Sequence, residues 1–256
     1  MTKQLMTIVS KATIAKDTIE MKLSIDPAVA RIAQPGQFLH INVSEGYGHL
    51  LRRPISIADV NLQEASITII FKVIGSGTDA LQKRGIGQEI DALVPCGTSY
   101  PIESLALNKA LLIGGGIGVP PLYFLAKKLK EQGVEVTAVI GFQSKDHVFY
   151  EQQFKEIGTV HVVTDDGSYG HKGYVTNVID EQAIDFDYFF SCGPTGMLKA
   201  VSHKLQDYHG YISIEQRMGC GIGACYACVV PSTTEPGFKK ICKDGPVFKA
   251  NEVVLS

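Results

Sequence analysis

The chain has 256 residues, 45% hydrophobic and 20% charged. That excludes wholesale disorder and, at roughly 150 residues per domain, gives room for two domains and a small extra module. A formal charge of −2 gives no support for nucleic acid or an anionic membrane as the main partner.

Lys3, Lys11, Lys16 and Asp17 leave no apolar core between them, so no secretory signal is expected at the N-terminus. The first hundred residues read as β-rich. Ile19, Met21, Leu23 and Ile25 alternate with polar residues, the period of a half-buried strand. Residues 37–43 and 66–73 are further β-type runs, with turns at Pro35-Gly36, Gly46 and Gly75-Ser76-Gly77. Many short strands with regular turns predict a small antiparallel barrel. Arg52-Arg53-Pro54-Ile55-Ser56 is expected to close a barrel strand. An arginine there suits a diphosphate, which it binds through two parallel hydrogen bonds, and a serine hydroxyl suits a flavin ring. Phe71-Lys72-Val73 and Gly77-Thr78 then supply a strand and a phosphate turn. Each signal alone also fits ordinary surface charge or a structural turn; their order along the chain is what informs.

Near Pro101 the pattern changes. Residues 110–126 form the longest uncharged run, but Gly114, Gly115, Gly116, Gly118, Pro120 and Pro121 interrupt it, so it does not read as a membrane span. It reads instead as a short strand, a glycine turn and a helix. Leu122, Leu125, Ala126 and Leu129 recur at helical spacing and Gly133 sits at the C-cap. Further strands are expected over 134–141, 159–164 and 188–192. Helices are expected over about 146–157 and along Met197, Val201, Leu205 and Tyr208. This alternation predicts a parallel sheet with crossovers. The run from Gly114 to Pro121 suits a nucleotide phosphate at a helix N-terminus, although a Rossmann third glycine is replaced by Pro121; a purely structural turn is the alternative. Cys192-Gly193-Pro194 ends a later strand on the same carboxyl edge of the sheet, where ligands of such folds bind. Cys192 itself fits either a nicotinamide contact or a small buried core residue.

From about Tyr211 helical periodicity is lost, and four of six cysteines fall within 23 residues: Cys220-x4-Cys225-x2-Cys228, then Cys242. Six cysteines are too few for a disulfide scaffold; without an export signal the expected compartment is the cytoplasm, where clustered cysteines hold metal. The x4, x2 spacing is that of plant-type [2Fe–2S] sites. Gly219, Gly221 and Gly223 would give such a loop its unusual backbone angles and close approach. A four-cysteine structural zinc site is the alternative, although paired C-x2-C units at both ends are its usual form. In plant-type ferredoxins the fourth cysteine lies further downstream, so this segment reads as a compact relative.

An R-x-P-x-S barrel motif, G-G-G-x-G-x-x-P and C-G-P in this order resemble the ferredoxin–NADP reductase superfamily. The resemblance covers residues 1 to about 210 and implies an FAD-binding barrel followed by an α/β nucleotide domain. The C-terminal stretch, Glu215-x-Arg217-Met218-x-Cys220 through Cys242-Lys243-Asp244-Gly245-Pro246, resembles the electron-transfer subunits of NAD-linked (class 1B) dihydroorotate dehydrogenase, as does Thr164-Asp165-Asp166-Gly167-Ser168. That resemblance spans essentially the whole chain.

It implies a multi-domain β plus α/β protein: an FAD barrel over 1–101, an NAD domain over 102–210 and a [2Fe–2S] module over 211–256. It implies FAD contacts from Arg53, Pro54, Ile55, Ser56, Ile70, Phe71, Lys72, Gly77 and Thr78. Nucleotide contacts follow from Gly114, Gly115, Gly116, Gly118, Cys192, Gly193 and Pro194, and iron ligation from Cys220, Cys225, Cys228 and Cys242. It also implies an FMN-containing catalytic partner in a heterotetramer of two copies of each subunit, and a place in pyrimidine biosynthesis. No catalytic acid or base is expected, because the cofactors carry the redox chemistry. With one cation and a neighbouring acid in Gln143-Ser144-Lys145-Asp146, NAD is preferred over NADP. Two other readings are a flavin–iron–sulfur reductase serving ferredoxin or another acceptor, and a zinc-bearing redox regulator without turnover.

Overall fold

Residues 1–43 and 48–255 are described in the computed structural model; the turn expected at Gly46 lies outside them. Six strands close into an antiparallel barrel: β1 (Thr2–Ala15), β2 (Thr18–Ser24), β3 (Phe38–Ile41), β4 (Arg53–Asn61), β5 (Ser66–Lys72) and β6 (Glu89–Cys96), ordered β1-β2-β5-β4-β3-β6. Closure leaves no open strand edge. Two short helices, α1 (Pro27–Ile32) and α2 (Ser76–Gln82), fill connections. Alternation works as expected in β2, whose Met21 and Leu23 are wholly buried. β1 has no comparable sequence signal because most of its length is open and only Met6 and Ile8 are buried at its centre. The Arg53–Ser56 segment opens β4 instead of closing a strand. Pro54, which has no N–H, therefore sits near the strand's start, where a missing donor costs least.

The second layer is a seven-stranded sheet. Its members are β7 (Lys109–Gly115), β8 (Glu135–Phe142), β9 (Thr159–Thr164), β10 (His171–Lys172), β11 (Tyr188–Cys192), β12 (Gly210–Ser213) and β15 (Val247–Lys249). The order is β10-β9-β8-β7-β11-β12-β15, parallel except for the β12–β15 pair. Helices α3 (Val119–Glu131), α4 (Glu151–Lys155), α5 (Val175–Glu181) and α6 (Thr195–Lys204) connect strands across its faces. The helix expected over about 146–157 is shorter. A 3-10 turn at Lys145–His147 is followed by extended chain, and Tyr150 adopts φ +64° before α4 begins. The rings of Phe149 and Tyr150 are both buried there, and packing them displaces the helix start.

Between β12 and β15 lies the cysteine-bearing segment, with a small hairpin of β13 (Val229–Pro231) and β14 (Phe238–Lys240), then α7 (Ile241–Asp244). Both of its ends are strands of the large sheet, and Ser213 pairs with Val247.

α3 joins barrel to sheet. Its Leu122, Leu125, Ala126 and Leu129 belong to the sheet core, whereas Phe124 packs into the barrel core with Leu39, Ile57 and Ile69. Lys127 adds an ion pair to Asp59 of β4 at 2.6 Å, and the Tyr150 hydroxyl donates to the Glu20 carboxylate of β2. Phe124 is 1% exposed. Its replacement by alanine is expected to destabilise the protein by about 3–5 kcal/mol, the usual cost of truncating a buried phenylalanine. Equilibrium urea denaturation followed by circular dichroism measures this; a loss under about 1 kcal/mol would show that the barrel does not depend on the wedge.

Candidate flavin, nucleotide and cluster site

One cavity of about 710 Å³ lies against the barrel. Arg53, Pro54, Ile55 and Ser56 line it from the start of β4, Ile70, Phe71 and Lys72 from the end of β5, and Gly77 and Thr78 from the start of α2. All nine residues expected at the flavin thus surround one space. The two arginines differ in their local bonds. Arg52 pairs with Asp91 at 2.8 Å and donates to the carbonyls of His40 and Asp91, so it braces β3 against β6. Arg53 crosses Gly77, where an added Cβ would come within 2.5 Å of its Nε. Thr78 caps its own helix: its hydroxyl accepts from the amides of Ile74 and Gly75.

A second cavity, of about 650 Å³, lies at the carboxyl ends of the parallel strands. Gly115 and Gly116 border it after β7, Gly141 and Gln143 at the end of β8, Asp165 after β9, and Gly193 and Pro194 after β11. This is the edge where such sheets take ligands. Gly114, Gly118 and Cys192 stand behind the cavity wall. Cys192 is wholly buried; burial, then the Glu215 charge, hold its thiol well above the ordinary range. Cys192 pairs with Gly114 across β11 and β7. A Cβ on Gly118 would overlap the Cys192 carbonyl. These residues therefore set the spacing of the two turns. Gly118→Ala is expected to push the turns apart and weaken NAD⁺ binding at least tenfold, read as a dissociation constant by calorimetry. An unchanged constant would mean that the close approach does not govern the cavity.

Ile117, Lys72 and Glu215 border both cavities. The sequence assigns Glu215 no role, since its position at the junction is a consequence of tertiary structure. Asp165, given no role from sequence, lines the second cavity as a carboxylate. Glu215 opens onto the cleft, yet protein surrounds it beyond the opening, and burial pushes its carboxyl from the ordinary 4.5 up to about 7. The raised value means that its contribution favours the fold below pH 4.5 and is lost as pH rises through about 7. The melting temperature of Glu215→Gln relative to the unaltered protein, both free of ligands, is therefore expected to climb across pH 4.5–7 and level above it. A pH-independent difference would contradict the shift.

The same segment leads on to the cysteines. Gln216, Arg217 and Met218 still line the first cavity, and Cys220 follows two residues later. Cys225 is exposed, whereas Cys228 and Cys242 are buried. Gly221 and Gly223 have φ of +71° and +84°. Gly219 acts by closeness, since an added Cβ would lie 3.0 Å from the Cys225 sulfur. The turned backbone aims its amides inward. Ile222, Ala224 and Cys225 donate to the Cys220 sulfur at 3.4, 3.3 and 3.4 Å, and Gly223 donates to the Cys242 sulfur at 3.1 Å. Burial pushes the Cys220 thiol up, but these amides and the adjacent Cys225 thiol outweigh it and bring it down to about 6. Burial, then the Cys228 thiol, push Cys242 up to about 12.

Among the described residues, no three His, Cys, Asp or Glu side chains converge as ligands of one metal ion. The thiols instead neighbour one another as Cys220 with Cys225 and Cys228 with Cys242. Two pairs fit a cluster with two irons, each taking two thiolates, better than a single tetrahedral zinc. Amides directed at sulfur suit its negative charge.

A barrel with one cavity, a parallel sheet with a second, and a thiol loop beside the first define a nicotinamide-linked oxidoreductase of the ferredoxin reductase fold. Residues 112–203 match the oxidoreductase NAD-binding domain, and residues 215–254 match the iron–sulfur cluster binding domain of dihydroorotate dehydrogenase B. The chain is 49% identical over 253 residues to the dihydroorotate dehydrogenase B (NAD(+)) electron transfer subunit of Shouchella clausii, covering 98% of this chain and 97% of that protein. It is 49% identical over 259 residues to the same subunit of Bacillus mycoides, covering both fully. It belongs to the family of dihydroorotate dehydrogenase B electron transfer subunits. Among solved structures, a chain of an NADH-dependent reduced ferredoxin–NADP oxidoreductase matches with TM-score 0.86 and 35% identity, over 98% of this chain and 90% of that one. A cytochrome P450 reductase from Amycolatopsis shares the fold at TM-score 0.68 and 22% identity, over 80% of this chain and 66% of that one. No helix among the described residues is long and apolar enough to cross a membrane.

Proposed function

We propose that this chain passes electrons from a catalytic dihydroorotate dehydrogenase partner to NAD⁺, in the oxidation of dihydroorotate to orotate on the way to UMP. The observation that carries this reading is the continuity of residues 213–220. Residues 213–218 line the barrel cavity, meet both cavities at Glu215, and the chain then continues to the first cysteine. When bound, the cluster carries electrons singly and the flavin exchanges them singly or as a hydride pair, so together they join a one-electron donor to NAD⁺.

The roles of the chain's own residues follow from their places. Arg53 and the start of α2 hold the FAD diphosphate. Pro54, Ile55, Ser56, Ile70, Phe71 and Lys72 shape the pocket for the isoalloxazine. Gly115, Gly116, Gly193 and Pro194 admit the nicotinamide nucleotide, and Gly114, Gly118 and Cys192 fix the turns behind it. Cys220 with Cys225 binds one iron and Cys228 with Cys242 the other. Residues 1–101, 102–210 and 211–256 act as the FAD, NAD and cluster modules, the last anchored in the sheet by its flanking strands. The partner holds FMN, two copies of each subunit assemble, and the complex works in the cytoplasm.

A second reading, electron exchange with ferredoxin, is favoured by the 35% identity to the reduced ferredoxin–NADP oxidoreductase chain. The full-length 49% identity and the match over residues 215–254 favour the first. The deciding assay is NADH formation from dihydroorotate and NAD⁺ with this chain and the FMN-containing subunit mixed. NADH is expected only when both are present. None, with both proteins carrying their cofactors, would move the assignment to another electron donor. Cys225→Ser is expected to impair cluster assembly and lower coupled NADH formation at least a hundredfold, while NADH-driven reduction of an artificial acceptor persists. Full coupled activity in a variant shown to lack the cluster would refute the electron route.

A further inference from the structure

His40 is a buried polar side chain with no role in the reading above. It lies on β3 directly across from Pro54, so it backs the segment that lines the barrel cavity. It is wholly buried, and neither ring nitrogen makes a hydrogen bond of full geometry, although main-chain groups stand close to the ring. Buried polar atoms are ordinarily paired, and exceptions call for an explanation. On its other side stands the cysteine loop. A Cβ on Gly221 would overlap the ring's Nδ1, so the loop rests on the imidazole edge. Main-chain groups of Cys220 and Arg52 face the ring. The strand beneath is firmly held: Arg52 donates to the His40 carbonyl at 3.3 Å and pairs with Asp91 at 2.8 Å.

We infer that His40 is a positioning residue for the iron–sulfur loop, supporting the Cys220–Gly221 turn from the barrel side and presenting its ring N–H to the Cys220 main chain. It is the link between the barrel strands that shape the flavin cavity and the first thiol of the cluster. The turn it supports carries the amides of Ile222, Ala224 and Cys225, which point at the Cys220 sulfur. Hydrogen bonds to cluster sulfur stabilise the added negative charge of the reduced state and raise the reduction potential. A side chain that only filled space would be replaceable by any of similar volume; a donor is not.

The inference rests on the iron–sulfur reading of the cysteines. The test uses the full chain purified anaerobically with its catalytic partner. The reduced cluster is followed by electron paramagnetic resonance during a potentiometric titration, for the unaltered protein, His40→Leu and His40→Gln. At the unaltered midpoint, His40→Leu is expected to show at least a tenfold lower ratio of reduced to oxidised cluster, a shift of 59 mV for one electron. Altered g-values should accompany it. His40→Gln, which keeps an N–H at similar reach, is expected to recover most of the shift. If His40→Leu holds no cluster, His40→Met fills the space without a donor and takes its place. An unmoved midpoint without the donor, or an equal shift in the glutamine variant, would overturn the role of His40 while leaving the cluster reading intact. Absence of any cluster signal in the unaltered protein would overturn both.

Discussion

The close approach of β11 to the first turn of α3 governs the rest of the site. Gly118 leaves no room for a Cβ against the Cys192 carbonyl, and Cys192 is in register with Gly114. Two strand ends are thereby held side by side, and the second cavity opens between their turns. The same helix drives Phe124 into the barrel core. One rigid element thus fixes both the floor of the nucleotide cavity and the position of the barrel. This matters because hydride transfer demands contact between donor and acceptor atoms at about 3–3.5 Å. Loosely tethered domains would pay an ordering cost at each encounter; here the wedge supplies the order in advance.

Electrostatics divides the cysteine loop in the same economical way. Cys220 and Cys225 lie toward solvent, and inward-pointing amides bring the Cys220 thiol down to about 6. Cys228 and Cys242 are buried, and burial raises Cys242 to about 12 in the metal-free protein. Cys220 is ready to lose its proton near neutrality, whereas Cys242 needs a cation to complete its deprotonation. Metal binding and proton release are coupled at such thiols. The backbone contributes donors that no side-chain pattern would reveal, and two left-handed glycines are what turn those donors inward.

That explains which features were legible in sequence. Strands with alternating burial, such as β2, are legible, as are the nearly wholly buried strands β7 and β11 with their punctuating glycines and β9, whose second half is buried. β1 was not, because a long barrel strand that buries only Met6 and Ile8 at its middle resembles a polar stretch. The helix near residue 150 starts later than its spacing predicts because packing of Phe149 and Tyr150 outweighs local propensity. The cysteine spacing and the barrel and glycine motifs were local and therefore visible. Glu215, Asp165 and His40 were not: each gains its position only when distant strands come together. Cys192 is instructive in another way. Its motif lay at the expected edge, but its thiol faces the core, and the motif's open surface belongs to Gly193 and Pro194.

The attachment of the cysteine segment also constrains how electrons travel. A carrier on a flexible linker moves between sites, but this segment leaves the sheet at β12 and rejoins it at β15, with Tyr211, Ile212 and Ser213 paired to Lys249, Phe248 and Val247. Met218, Cys228 and Ile241 share a hydrophobic core with Ile212 and Phe248. Moving the loop away from the barrel cavity would break both the ladder and this core. The distance from cluster to flavin is therefore a property of the fold, and the variable step is the approach of the partner. The loop's other side, with Ile222 and Tyr226 exposed and Cys225 between them, is left open to solvent by this anchoring.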